Sequence, residues 1–309
     1  MPDSLRVGVV GTGHLGRHHA RIYSELGNAR LVAVSDIDEK KGGKIAEKYG
    51  CRYCKDFHEL LDSIDAVSIV TPTETHYEIA REFLKHNIST LIEKPITSSI
   101  EQASKLIMIS EENSCILQVG HIERFNAAIK KAREYIKEPR FIEVNRLSRF
   151  PDRSLDIGVV LDLMIHDIDI ILSFVDSSVK SISSIGASVF SDKEDIANCR
   201  LAFENGCIAN ITASRISYKS ERKFRVFQSD SYISLDYEKQ DFVIYKKKKN
   251  IVDKPSDIER IVPQLMKSEP LREELMDFLS TVTEGKTPTV SGYHGYNAIK
   301  LARDIINQI

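Results

Sequence analysis

The sequence predicts an α/β protein of two domains, and three features point that way. Apolar runs alternate with helix-period segments up to residue 120, and a glycine-rich turn joins the first run to the first helix. Beyond residue 140, short apolar runs follow one another with turns between them instead of helices. Alternating strand and helix builds a parallel sheet covered on both faces, whereas consecutive strands joined by turns pair antiparallel. A chain of 309 residues is long enough to bury two such cores.

Taken in order, strands are expected over 5–10, 31–35, 51–53, 65–70, 89–92 and 115–119, with helices over 14–26, 38–48, 75–86 and 98–112. These make a first domain of residues 1–120. Residues 121–309 form the second: a helix near 124–137, a strand near 140–149, a helix near 158–175, and β segments at 180–190, 196–203, 207–217, 222–229, 231–236 and 241–246. Turn signals such as Glu204-Asn205-Gly206 predict antiparallel pairing, hence a mostly antiparallel sheet with helices on one face and the other face open. An open sheet face commonly meets a copy of itself, so a homodimer or homotetramer is expected. Helices over 269–283 and 293–307 end the chain.

The first strand, Val7 to Val10, runs into Gly11-Thr12-Gly13-His14-Leu15-Gly16, and the second apolar run ends on Asp36. Strand, G-x-G-x-x-G, helix and a delayed acid occur in the order a Rossmann dinucleotide-binding domain requires. The turn is tight at Gly11, a pyrophosphate can approach the backbone at Gly13, and amides at the helix start, from His14 and Leu15 to Gly16, bind it. Asp36 is placed to hold the adenosine ribose hydroxyls and to repel a 2′-phosphate, which favours NAD over NADP. Lys40 and Lys41 read as the solvated start of the next helix. Two later loops, Thr71-Pro72-Thr73-Glu74-Thr75-His76 and Glu93-Lys94-Pro95, should face the nicotinamide end of the same ligand. Thr71, Pro72, His76, Glu93 and Lys94 are therefore cofactor-site candidates. The proline biases Lys94 toward an extended backbone and so restricts its aim.

In the second half, Asp162, His166 and Asp169 recur at i, i+4 and i+7 within an apolar segment, a stripe too polar for a core. A carboxylate one turn from an imidazole can orient it and tune its proton affinity, as a general base requires. No other His or Cys is spaced to complete a zinc set, so no metal is expected. His121 and Arg124 follow the last strand of the first domain, where a substrate pocket is expected, and a guanidinium there could pair with a phosphate.

With 43 basic and 45 acidic side chains, the chain has no charge excess to drive nucleic-acid or membrane binding. It has no apolar run of about 18 residues and no apolar signal region, so a soluble cytoplasmic protein is expected. Five cysteines fit a reducing compartment. Cys51 and Cys54 are spaced C-x-x-C without a second pair and read as structural. The run Lys246 to Lys249 reads as a solvated hairpin end.

The glycine loop, Thr-Pro with a histidine four residues after the proline, Glu-Lys-Pro, and Asp-x-x-x-His-x-x-Asp together resemble the Gfo/Idh/MocA oxidoreductases over essentially the whole chain. The resemblance implies NAD(P)-dependent hydride transfer at a sugar or cyclitol carbinol, with the family's catalytic lysine on Lys94, its histidine on His166 and the preceding acid on Asp162. Met164 stands where the family usually has glycine, which suggests bulk beside the substrate. His-x-Glu-Arg-Phe-Asn at 121–126, with Asp-Leu-Met-Ile-His-Asp-Ile-Asp, is similar to a subgroup acting at the 3-hydroxyl of a UDP-N-acetylhexosamine. A free sugar or inositol is the alternative substrate. A dinucleotide-bound regulatory or scaffold protein is the alternative of another class.

Overall fold

The computed structural model describes residues 4–150 and 157–309. Contacts divide the chain into two compact units, Met1–Ile122 with Leu271–Ile299, and Glu123–Pro270 with Lys300–Ile309. The expected second domain of 121–309 is therefore not contiguous, because a helical segment near the C-terminus belongs to the first unit.

The first unit contains β1 (Leu5–Val10), α1 (Gly16–Glu25), β2 (Ala29–Ser35), α2 (Glu39–Tyr49), β3 (Arg52–Cys54), β4 (Ala66–Ile69), α3 (Thr73–Lys85), β5 (Ser89–Glu93), α4 (Ile100–Glu112) and β6 (Leu117–Gly120). Its six strands are all parallel, in the order β3-β2-β1-β4-β5-β6. The order reverses between β1 and β4, so the loops leaving these two strands diverge and open a crevice at their carboxyl ends. Strands buried on both faces need continuous apolar runs, and β4 and β5 are buried at every residue.

The second unit contains α5 (Ala127–Ala132), β7 (Phe141–Leu147), a π-helical turn (Val160–Met164), α6 (Ile165–Phe174), β8 (Val179–Ala187), β9 (Ile196–Phe203), β10 (Ile208–Ser214), β11 (Glu221–Phe227), β12 (Ser231–Asp236), β13 (Asp241–Lys247) and β14 (Ile258–Ile261). Its eight strands run β14-β13-β12-β11-β7-β10-β9-β8, antiparallel throughout except for β7 beside β10. Alternation puts Ile142, Val144, Ile211, Phe224, Val226 and Ile233 on the buried face. On the opposite face Phe141, Phe227, Tyr232 and Tyr245 stack in a row across four strands and stay partly exposed. The helix expected near 124–137 is a 3₁₀ turn over Ile122–Phe125 followed by the short α5.

The chain ends in α7 (Pro270–Glu284) and α8 (Gly292–Ile306). On α7, Leu271, Leu275, Phe278 and Leu279 form a helical stripe packed with Val9, Ile22, Tyr23 and Leu91 of the first unit. Glu274 lies on that same apolar stripe, fully buried, with neither carboxylate oxygen hydrogen-bonded. Burial, reinforced by the negative charges of Glu93 and Asp277, pushes its pKa well above the usual carboxylate range. The unfolded chain releases this proton near the ordinary value, about 4.3, whereas the folded chain retains it. Between the two pKa values stability falls as pH rises, by up to about 1.4 kcal/mol per pH unit. Glu274→Gln removes that titration and keeps the shape. Its melting temperature relative to the parent protein is expected to rise with pH above about pH 5, and a pH-independent difference would show that Glu274 is ionised in the core.

Candidate active site

In the first unit the glycine loop is defined by what has no room beside it. Gly11, at φ 89°, lies against Val70 O, and a Cβ there would also meet Thr71 Cγ2 at 3.0 Å. A Cβ on Gly16 would strike Gly11 O, whereas one on Gly13 would meet nothing within 4 Å. Two glycines thus close the turn against the neighbouring loop, and the third leaves its outer side open for a ligand to approach the backbone. The start of α1 follows directly, where helix amides and the helix dipole favour an anion. These features fit a dinucleotide pyrophosphate.

Asp36 follows β2, and its carboxylate is already oriented. Its Oδ2 accepts from Thr12 N and Thr12 Oγ1, both at 2.7 Å, and its Oδ1 accepts from Asp38 N at 2.9 Å. Tyr53 OH donates to Asp36 O at 2.9 Å, and the Tyr53 ring fills the space a Cβ on Gly42 would need. Lys41, a potential partner for a 2′-phosphate, pairs instead with Asp38 at 3.0 Å. Thr12 is a functional neighbour that the spacing pattern treats as a filler position.

The loops after β4 and β5 differ from expectation in which groups face outward. His76 is 1% exposed, with Nδ1 2.9 Å from Pro95 O and Nε2 2.8 Å from Thr71 O. A neutral imidazole donates to one of these carbonyls and an imidazolium to both. Burial pushes the His76 pKa down, with the two carbonyls pulling the other way. Glu93 is likewise turned inward, its Oε1 3.1 Å from Nε2 of the fully buried His19 and its Oε2 accepting from Lys94 N at 3.3 Å. Burial opposes the Glu93 charge, but His19 and Lys94 hold its carboxyl below the usual range. The side chains of His76 and Glu93, expected at the cofactor, are instead internal struts of the Thr71 and Lys94 loops. Lys94 itself is partly exposed, and Thr75 Oγ1 donates to Pro72 O at 2.7 Å and accepts from Thr71 Oγ1 at 2.7 Å. His121, also an expected substrate contact, is 1% exposed at the end of β6.

In the second unit the polar segment 162–169 splits into two sets. Asp162, in the π-helical turn, and His166, on the first turn of α6, are both partly exposed. π-helical turns are rare and frequent at functional sites. Asp167 and Asp169 are buried in ion pairs. Arg146 donates to Asp167 at 2.7 and 3.0 Å and to Glu123 at 3.1 Å, and Arg124 donates to Asp169 at 2.5 and 2.9 Å. The expectation that Arg124 clamps a substrate phosphate is thereby corrected, since its guanidinium is a buried bidentate partner of Asp169. Asp169 leaves the His166 set for the same reason. Met164 is fully buried, so the bulk expected beside the substrate is in the core.

Among the described residues, no group of three or more His, Cys, Asp or Glu side chains is arranged to hold a metal. Burial pushes the Cys51 thiol up to about 11, which leaves no activated thiol at the C-x-x-C spacing. Lys249 of the lysine run pairs with Asp253 and Asp257. No helix among the described residues is long and apolar enough to cross a membrane.

Residues 5–121 match the model of the Gfo/Idh/MocA oxidoreductase family, NAD-binding Rossmann fold, and residues 118–234 match the Gfo/Idh/MocA C-terminal domain. A UDP-N-acetylglucosamine 3-dehydrogenase of Acidithiobacillus ferrooxidans is 34% identical, over 97% of this chain and 96% of its own. A crystal form of the enzyme of that name from the same organism superposes with a TM-score of 0.93 at 33% identity, over 99% of this chain and 98% of its own. A myo-inositol 2-dehydrogenase of Thermotoga maritima is 28% identical over 96% of this chain and 94% of its own. A levoglucosan dehydrogenase in complex with NADH and levoglucosan shares the fold, with a TM-score of 0.87 at 17% identity over 99% of this chain and 97% of its own.

The fixed Asp36 carboxylate generates a cofactor prediction. NAD is expected to bind at least about tenfold more tightly than NADP in a fluorescence titration, and Asp36→Asn to erase most of that difference by removing the repulsive charge. Equal affinities in the unaltered protein would displace Asp36 from the ribose.

Proposed function

This chain belongs to the Gfo/Idh/MocA family of NAD-binding oxidoreductases, and from that premise we propose that it oxidises the 3-hydroxyl of a UDP-N-acetylhexosamine, with Lys94, Asp162 and His166 as its catalytic residues. The observation that carries the assignment of residues is the division of labour in 162–169. Of its four ionisable side chains, the two that pair with arginines are buried, while Asp162 and His166 stay open to solvent. A regulatory or scaffold protein has no need of that division, and the relatives named above are dehydrogenases.

The bound nicotinamide supplies the hydride acceptor. His166 Nδ1 is buried, which leaves Nε2 to take the hydroxyl proton as general base. Lys94 Nζ donates a hydrogen bond to the developing alkoxide, where charge appears only as the reaction proceeds. Asp162 orients the imidazole and favours its charged form. The UDP assignment rests on similarity over nearly the whole length to a UDP-N-acetylglucosamine dehydrogenase, and the weaker similarity to an inositol dehydrogenase supports a free cyclitol as second reading. The enzyme is a cytoplasmic homodimer or homotetramer, its open sheet face with the Phe141, Phe227, Tyr232 and Tyr245 row covered by a second copy.

In an NADH absorbance assay, UDP-N-acetylglucosamine is expected to turn over, with N-acetylglucosamine and myo-inositol at least about a hundredfold poorer in kcat/KM. Equal rates with and without UDP would move the assignment to free sugars or inositols. Lys94→Ala and His166→Ala are each expected to lower kcat at least about a hundredfold while leaving the NAD dissociation constant nearly unchanged. Near-normal turnover in either variant would remove that residue from the mechanism.

A further inference from the structure

Lys94 is anchored at both of its neighbours, each time by a buried imidazole. On its N-terminal side, Glu93 Oε2 accepts from Lys94 N while Oε1 meets His19 Nε2. The Glu93 carboxylate lies over Gly120 and occupies space that only a glycine leaves, since a Cβ there would stand 2.9 Å from Oε2. On its C-terminal side, His76 spans Pro95 O and Thr71 O. Both imidazoles are at most 1% exposed, so neither is placed to touch a substrate.

These contacts close a circuit within the first unit. His19 lies on α1, one turn after Gly16, and Gly16 is packed on Gly11 O. Gly11 in turn lies on Val70 O and Thr71 Cγ2, and Thr71 is joined through His76 to Pro95. Starting from Lys94, the path through Glu93 and His19 reaches the glycine loop, and the path through Pro95, His76 and Thr71 reaches it from the other side. A flexible lysine next to a loop backbone so constrained can place its ammonium only within the reach of its own side chain.

We propose that His19, through Glu93, and His76, through Pro95, are positioning residues that fix the Lys94 backbone relative to the glycine loop. The proposal deepens the reading of Lys94 as the alkoxide donor and rests on it. A ground-state substrate tolerates small displacements of the ammonium, whereas the transition state does not, so loss of either imidazole falls on kcat.

The test compares His19→Leu, which removes the donor to Glu93, with His19→Gln, which restores an N–H donor of similar reach. His19→Leu is expected to lower kcat by about tenfold or more with KM for the sugar and the NAD dissociation constant within about twofold, and His19→Gln to recover most of the loss. His76→Leu is expected to show the same split, which keeps the test alive if His19→Leu does not fold. A second readout needs no substrate: acetic anhydride labelling of Lys94, followed by peptide mass spectrometry, is expected to change in rate in both leucine variants and to revert in His19→Gln. If labelling and kcat both stay as in the parent protein, the proposal is overturned. Loss of NAD affinity in parallel with kcat also overturns it, because the imidazoles would then serve the cofactor loop itself. Should UDP-N-acetylglucosamine prove inactive while labelling responds as expected, the substrate assignment fails and the positioning frame stands.

Discussion

The approach of the Gly11 turn to the backbone after β4 is the constraint on which the rest of the first unit depends. A parallel sheet that reverses its order between β1 and β4 must bring the two departing loops together, and here they meet with no room for a side chain on Gly11. The positive φ of Gly11 sends the chain into α1, and Gly16 lets the helix start against the turn. Because α1 begins there, its next turn delivers His19 under the end of β5, where Glu93 is waiting. One close approach of backbone therefore determines where an anion can bind, where a helix begins, and which imidazole reaches the residue before Lys94.

The second unit solves a charge problem by a different route. Three acids and a histidine within eight residues of a mostly apolar helix cannot all be buried, because an unpaired buried carboxylate is heavily penalised by desolvation. Asp167 and Asp169 are buried with a guanidinium facing each in two-point geometry, and losing one partner of such a pair costs about 3–5 kcal/mol. Asp162 and His166 keep access to solvent. The π-helical turn at Val160–Met164 places Asp162 on a wider spiral than the α6 residues that follow, so an ideal 3.6-residue helix does not describe its position relative to His166.

This difference explains what was legible in the sequence. The order of strands and helices through Gly120 and the glycine loop were readable because each leaves a local periodic or positional mark. The three-residue stripe at Asp162, His166 and Asp169 misled because helical spacing reports a shared face but not a partner from elsewhere in the chain. Arg124 lies 45 positions before Asp169, and nothing in the sequence marks that pairing. His76 and Glu93 misled in a related way: a polar residue in a loop can point inward as readily as outward. The return of α7 to the first core was hidden because an amphipathic stripe shows that a helix is covered and not by what.

The buried polar groups around Glu93 form one electrostatic system, and its parts limit one another. Leu91 pairs with Ser68 and with Gln118 across the sheet, so Ser68 and Gln118 lie on the face that carries Glu93, and Tyr23 OH bonds to Ser68 Oγ at 2.8 Å. Gln118 Nε2 donates to Glu274 O at 3.2 Å, tying α7 to this polar patch. Two carboxylates near one another in a core cannot both be charged without large mutual repulsion, so one must yield. Glu93 has His19 and Lys94 to support its charge, whereas among the described residues neither Glu274 carboxylate oxygen has a hydrogen-bond donor. The two shifts run in opposite directions, favouring the neutral form of Glu274 and the charged form of Glu93 beside Lys94. A core glutamate thus limits the charge in the region of the lysine loop, because burial and its acidic neighbours raise its pKa well above the usual carboxylate range.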